Sequence, residues 1–244
     1  VLGPQELAGR VIAITGAGDG IGRALALAAA AHGAEVILIG RTVRKLEAVF
    51  DAIRAAHHPE PTIAPLDLET ALAPAYDQLA LAIRNRYGRL DGLVHNAGIL
   101  GPLTPIEQYD VPTWCRLMHI NVTAAFALTQ VLLPALRAAP DGSVLFTTSG
   151  VGRRGRAYWG GYAVSKFAIE GLTQVLAAEL EGISAVRVNA INPGRTRTAM
   201  RRQAYPAEDP NTLPEPAAIV GPYLSLLGPA ARAVTGRSFD CQRP

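Results

Sequence analysis

Short apolar runs alternate with longer stretches of helical periodicity from one end of the chain to the other. Residues 10–15, 35–40, 62–66, 92–95, 143–148, 185–191 and a last run near 235–240 read as strands. They are nearly all apolar, without polar alternation, which is the pattern of strands covered on both faces. Between them, residues 20–32, 43–56, 70–87, 111–138, 162–181 and 216–227 read as helices. Strands separated by helical crossovers predict an α/β architecture: a doubly wound parallel sheet of about seven strands with helices on both faces. No linker divides the pattern, so a single domain over residues 1–244 is expected. The proline-rich stretch 205–216 reads as an ordered excursion, part of a substrate lid near 195–216.

Composition narrows the function classes. With 244 residues, 49% of them hydrophobic, the chain can bury a sizeable core, and its net charge is only +3. The arginines are scattered except for Arg153, Arg154 and Arg156, then Arg195, Arg197, Arg201 and Arg202, which is no nucleic-acid face. Cys115 and Cys241 fit no metal or redox spacing, and the five histidines form no ligand pattern, so no metal is expected. Without a basic leader or a run of 18 apolar residues, a cytoplasmic protein with no membrane segment is expected. Of the 23 basic residues, only Lys45 and Lys166 are lysine. A chain that uses arginine almost wherever it needs positive charge keeps a compact ammonium at 166.

The residues Thr15–Gly22 follow the first strand directly and open an alanine-rich helix. Their glycines are spaced GxxxGxG (Gly16, Gly20, Gly22). Such a turn lets a pyrophosphate approach the helix N-terminus, where free N–H groups and the helix dipole favour anions. The second strand ends in Arg41 and Thr42, where NAD-specific chains place an acid that takes the ribose hydroxyls. A guanidinium there pairs with a 2′-phosphate, so NADP(H) is expected, with NAD(H) as the alternative. Asp19, inside the turn, opposes that choice.

Tyr162 and Lys166 lie four residues apart in a predicted helix, on one face, about 5–6 Å apart at Cβ. Bringing a phenol from pKa about 10 to about 7 requires roughly 4 kcal/mol. One positive charge about 4 Å away, at an effective dielectric near 20, supplies about that much. The pair therefore reads as a proton donor for near-neutral pH.

Separated motifs now agree, and the chain resembles the short-chain dehydrogenase/reductase family along nearly its whole length. The matching positions are Thr15–Gly22, Asp67-Leu68, Asn96-Ala97-Gly98, Asn121, Ser149 with Tyr162 and Lys166, and Pro193-Gly194 with Thr198. The resemblance implies a single-domain Rossmann fold and a nicotinamide cofactor. Cofactor contacts fall to Gly16, Gly18, Asp19, Gly20, Ile21 and Gly22 in the turn, to Arg41, and to Asp67 and Leu68 near the adenine. Asn96, Ala97 and Gly98 would shape the pocket, while Pro193, Gly194, Thr196 and Thr198 serve the nicotinamide side with Tyr162 and Lys166. Catalysis falls to Tyr162 as general acid/base, Lys166 beside it, Ser149 on the substrate oxygen, and Asn121 through a water chain to Lys166.

The implied reaction interconverts a carbonyl and an alcohol on a small molecule. The narrower alternative is a 3-oxoacyl-thioester (acyl carrier protein) reductase, and the alternative of another class is a catalytically silent nicotinamide-binding sensor or scaffold. Tyr158 and Trp159 are expected to wall the substrate pocket or pack as core, and the arginines of the loops near it raise the idea of an anionic substrate. His95 replaces an asparagine frequent in the family, and the last strand lacks a frequent terminal glycine pair. The family association state, a homodimer or homotetramer, is carried over as an expectation.

Overall fold

The computed structural model describes residues 5–242; the ends of the expected 1–244 unit, residues 1–4 and 243–244, lie outside it. Seven strands build one parallel sheet: β1 (Val11–Thr15), β2 (Glu35–Gly40), β3 (Thr62–Pro65), β4 (Gly92–His95), β5 (Ser143–Thr147), β6 (Arg187–Asn192) and β7 (Ser238–Asp240). Their order is β3-β2-β1-β4-β5-β6-β7. The order reverses between β1 and β4, where an open α/β sheet forms its ligand crevice beyond the carboxyl ends of the strands.

Alternate residues of each strand feed two cores. Ile12, Ile14, Val36, Leu38, Val94 and Leu145 pack with α1 (Gly20–Ala31), α2 (Val43–Ala55), α8 (Pro216–Ile219) and α9 (Gly221–Leu227). Val11, Ala13, Ile37, Ile39, Leu93 and Val144 pack with α3 (Ala73–Tyr87), α5 (Ala124–Arg137) and α6 (Gly160–Leu180). This period of two, apolar on both sides, is the Rossmann arrangement that the strand pattern predicts.

The departures from the predicted boundaries have local causes. The third helix begins at Ala73 rather than residue 70, because residues 67–71 turn back onto the Asp67 carbonyl and Pro74 opens the helix. The last helix divides at Val220, where Pro222, lacking an N–H, starts α9. The long run 111–138 is not one α-helix. It comprises α4 (Val111–Met118), a π turn over His119–Thr123, and α5. Among the described residues, this 27-residue run is the one helical segment with the length and composition of a membrane span. Its apolar side is spent on the sheet, through Leu128, Leu132 and Leu136.

A largely buried ion cluster ties the amino ends of β1, β5 and β6 together. Asp141, ahead of β5, accepts from Arg10 at 2.8 and 2.6 Å and from Arg232 at 3.1 Å, and Arg187 lies 4.0 Å away. Burial works to raise the Asp141 carboxyl, but the arginines hold it below the usual range. Its stabilising contribution is therefore complete above about pH 4, the ordinary carboxylate range, and is lost as pH falls through the lower folded value. Asp141→Asn leaves buried guanidinium groups without a counterion. The variant is expected to lose about 3–5 kcal/mol of unfolding free energy in urea titrations. A loss under about 1 kcal/mol, the range of exposed ion pairs, would contradict this role.

Candidate active site

A cavity of about 730 Å³ opens at the carboxyl ends of the strands. The β1–α1 turn forms its floor. Gly16 and Gly20 have φ of +69° and +50°. A Cβ on Gly22 would lie 2.2 Å from the Gly16 carbonyl oxygen and 2.6 Å from Asn96 Nδ2, so this position sits behind the turn and admits no side chain. Thr15 Oγ1 accepts from the Asn96 and Ala97 N–H groups, both at 3.0 Å, and joins the turn to β4. Asp19 caps α1 through Oδ1 to the Gly20 N–H at 2.7 Å. Its other oxygen pairs with Lys45 at 2.5 Å, and that bond holds the carboxyl below its ordinary value.

The expected cofactor residues converge here. Gly16, Gly18, Asp19, Gly20, Ile21, Arg41, Asp67, Leu68, Asn96, Ala97, Gly98, Pro193, Gly194, Thr196 and Thr198 all line the cavity. Thr198, which caps α7 (Ala199–Ala204), closes on the turn: a Cβ on Gly20 would sit 3.5 Å from its methyl group. These residues fit a dinucleotide, with a glycine-rich turn at one helix N-terminus and cations beyond β2.

Ser149, Tyr162 and Lys166 face the same cavity. Ser149 leaves β5 in extended conformation and enters a single 3-10 turn, Gly150–Gly152. That turn lies so close on α6 that a Cβ on Gly152 would come within 2.7 Å of Lys166 Cβ. Tyr162 is on the first turn of α6, and Lys166 Nζ lies 5.5 Å from the centre of its ring. Lys166 donates to the Thr147 carbonyl at 2.8 Å.

Both groups respond first to burial. Burial pushes the Tyr162 phenol up to about 12, against an opposing hydrogen bond with Ser149. It pushes the Lys166 ammonium down to about 8. The ammonium thus does not bring the phenol to 7 in the protein alone, contrary to the charge argument made from sequence. Desolvation outweighs the Ser149 hydrogen bond, and at neutral pH the phenol is protonated and the lysine largely charged.

Asn121 lies off the main cavity. The π turn carries it, and its side chain is fixed by the Ile99 N–H at 2.8 Å, the Ile99 carbonyl at 2.9 Å and Ser165 Oγ at 3.1 Å. It borders a pocket of about 10 Å³, one water in size, together with Lys166, Thr147 and His95. His95 stacks on Phe146 at 4.8 Å and bonds Thr129 Oγ1 at 2.8 Å. Burial drops its pKa to about 3, so it stays neutral.

One expectation is corrected. Tyr158 walls nothing: it is 61% exposed, with φ of +71°, while Trp159 lines the cavity with its ring 5.8 Å from that of Tyr162. Four of the loop arginines pair with carboxylates of the chain itself. Glu208 takes Arg195 and Arg201, Glu215 takes Arg197, and Arg153 reaches Asp240 and Glu170. Sequence reading missed Lys45 as a cavity residue, although its rarity had marked it. It also missed Arg116, which crosses 47 positions to grip Glu69 and carries no motif.

Known proteins share this fold. The family model described as short chain dehydrogenase matches residues 10–209. An uncharacterized oxidoreductase of Escherichia coli K12, YciK, is 49% identical over 96% of this chain and 92% of its own length. A short chain dehydrogenase from Shigella flexneri 2a, solved with NADP, superposes with a TM-score of 0.96 at 48% identity, covering 99% of this chain and 100% of the other. One from Escherichia coli CFT073, solved with NADPH, gives 0.95 at 49% identity, covering 98% and 99%. With the glycine turn, the Ser149–Tyr162–Lys166 constellation and these relatives in agreement, the chain belongs to the short-chain dehydrogenase family and is an NAD(P)-dependent oxidoreductase.

Proposed function

We propose that the chain reduces the carbonyl of a medium-sized, uncharged and largely apolar small molecule, with Tyr162 as proton donor. The observation that carries this reading is a protonated, buried phenol on one wall, facing Leu100, Trp159, Met200 and Ala204 across the same cavity. The cofactor supplies a hydride when bound. Tyr162 delivers the proton to the carbonyl oxygen, and Ser149 donates a hydrogen bond to that oxygen as its charge develops. Lys166 steadies the phenolate left behind, and Asn121 with the adjoining water-sized pocket resupplies the proton. NADP(H) would be held by Gly16 to Gly22 at its diphosphate, by Arg41 at its 2′-phosphate and by Asp67 and Leu68 at its adenine, while Asn96–Gly98 with Pro193, Gly194, Thr196 and Thr198 would complete the pocket.

Residues 195–216 form the lid in this reading. Its Tyr205 accepts from Arg156 at 2.6 Å and lies 5.9 Å from Trp159, ring to ring. The internal pairing of the lid arginines favours neutral substrates over anionic ones. A panel of neutral ketones and their carboxylate analogues, assayed for NADPH oxidation, tests this. Consistently higher kcat/KM for the carboxylates would reverse it.

The same reading assigns the chain to the cytoplasm and to a homodimer or homotetramer. Exposed Phe126 on α5 and exposed Val164, Phe167 and Val175 on α6 support association. Phe167→Glu is expected to shift sedimentation velocity profiles toward the monomer; an unchanged profile of a monomer in both proteins would refute it.

A further inference from the structure

The mouth of the cavity carries a second lysine that the catalytic chemistry does not use. Lys45 lies in the first turn of α2 and reaches across 26 positions to the Asp19 carboxylate. Gly18 permits that approach, since a Cβ there would lie 2.9 Å from Lys45 Cβ. The neighbouring cation, Arg41, is held only loosely. Its nearest carboxylate, Glu69, is 3.9 Å away and is itself gripped by Arg116 at 2.6 and 2.8 Å. Thr42 is the N-cap of α2 without a side-chain capping bond, and the first turn of this 13-residue helix contains no acid. Arg41, Thr42 and Lys45 all line the cavity. They gather at one helix N-terminus, where the dipole already favours an anion.

We propose that Lys45 is a second cation for the adenosine 2′-phosphate, and that its ion pair with Asp19 sets how strongly the protein prefers NADP(H) to NAD(H). A phosphate monoester carries up to two negative charges and three acceptor oxygens, so it competes well with a single carboxylate for an ammonium. The pair is largely exposed, with side-chain accessibilities of 55% for Lys45 and 65% for Asp19, so sharing the ammonium costs little. Lys45 thereby cancels the acid in the glycine turn, the one feature there that repels a 2′-phosphate. A cofactor without that phosphate leaves the pair as it is.

The test is a binding titration without turnover, by calorimetry, using 2′,5′-ADP against 5′-AMP and NADPH against NADH. Lys45→Met is expected to weaken 2′,5′-ADP and NADPH about tenfold, the loss of one charge-assisted hydrogen bond, while 5′-AMP and NADH stay within about twofold. Asp19→Asn keeps an acceptor for the Gly20 N–H and removes the charge. It is expected to tighten 2′,5′-ADP by up to about fivefold, the upper range of an exposed ion pair, and to do so less in the Lys45→Met background. Equal weakening of phosphorylated and unphosphorylated ligands by Lys45→Met overturns the proposal. So does an unchanged 2′,5′-ADP affinity in either single variant.

Discussion

Tyr162→Phe is expected to lower kcat for carbonyl reduction by about 10²–10⁴-fold, the usual contribution of a positioned general acid. The substitution removes only the hydroxyl, so the ring keeps its contacts with Leu100 and Leu117 in the small apolar cluster beside the cavity. NADPH affinity is expected to stay within about twofold, because no charge is lost at neutral pH from a phenol this high. Loss of turnover with retained binding is the signature of a group that acts in the transition state. Near wild-type kcat in this variant would remove Tyr162 from the mechanism.

The second large effect concerns the turn. Gly22→Ala places a methyl group 2.2 Å from the Gly16 carbonyl oxygen, a separation that no ordered structure accommodates. The turn must shift, and overpacking of this kind costs about 1–3 kcal/mol. If that cost falls on the bound state, NADPH binding weakens by about 5–150-fold. Gly171→Ala, on the exposed face of α6, serves as the comparison, since its φ is not positive and a Cβ there meets no atom within 4 Å. Thermal melts separate misfolding from a distorted turn. Wild-type NADPH affinity in Gly22→Ala would show that the cofactor does not rest on this turn.

The buried pair also predicts a pH profile. Reduction needs a protonated phenol and a charged lysine. Lys166, held down to about 8, loses its charge long before Tyr162, raised to about 12, loses its proton. The kcat/KM of reduction is therefore expected to be level near neutrality and to fall with an apparent pKa near 8. A profile flat to pH 10 would mean that the charge on Lys166 is not required.

Sequence patterning carried most of the architecture, for a physical reason. Strands such as Glu35–Gly40 and Gly92–His95 are continuous apolar runs that only a doubly covered sheet can bury, and their predicted limits coincide with the observed ones. The π turn at His119–Thr123 left no trace in periodicity, because one extra residue in a 27-residue apolar run shifts the pattern by less than a turn. Asn121 was visible as a polar residue in that run, but its bonds to Ile99 depend on a loop 22 positions away. Charges misled where burial decided the outcome. Lys166 suggested a lowered phenol, and only the depth of Tyr162, which is 9% exposed, reveals the opposite direction. The loop arginines looked free in sequence because Glu208 and Glu215, their partners, meet them only through the fold.

In the proposed function this chain is a working NADPH-dependent carbonyl reductase and not a nucleotide-binding protein that has lost turnover. The most direct measurement follows the absorbance of reduced nicotinamide as the purified protein meets neutral ketones, aldehydes, quinones and acyl thioesters in turn. Substrate-dependent NADPH oxidation is expected with the apolar ketones, matched mole for mole by alcohol and lost in Tyr162→Phe. Tight NADPH binding with no substrate-dependent oxidation by any member of the panel would contradict it.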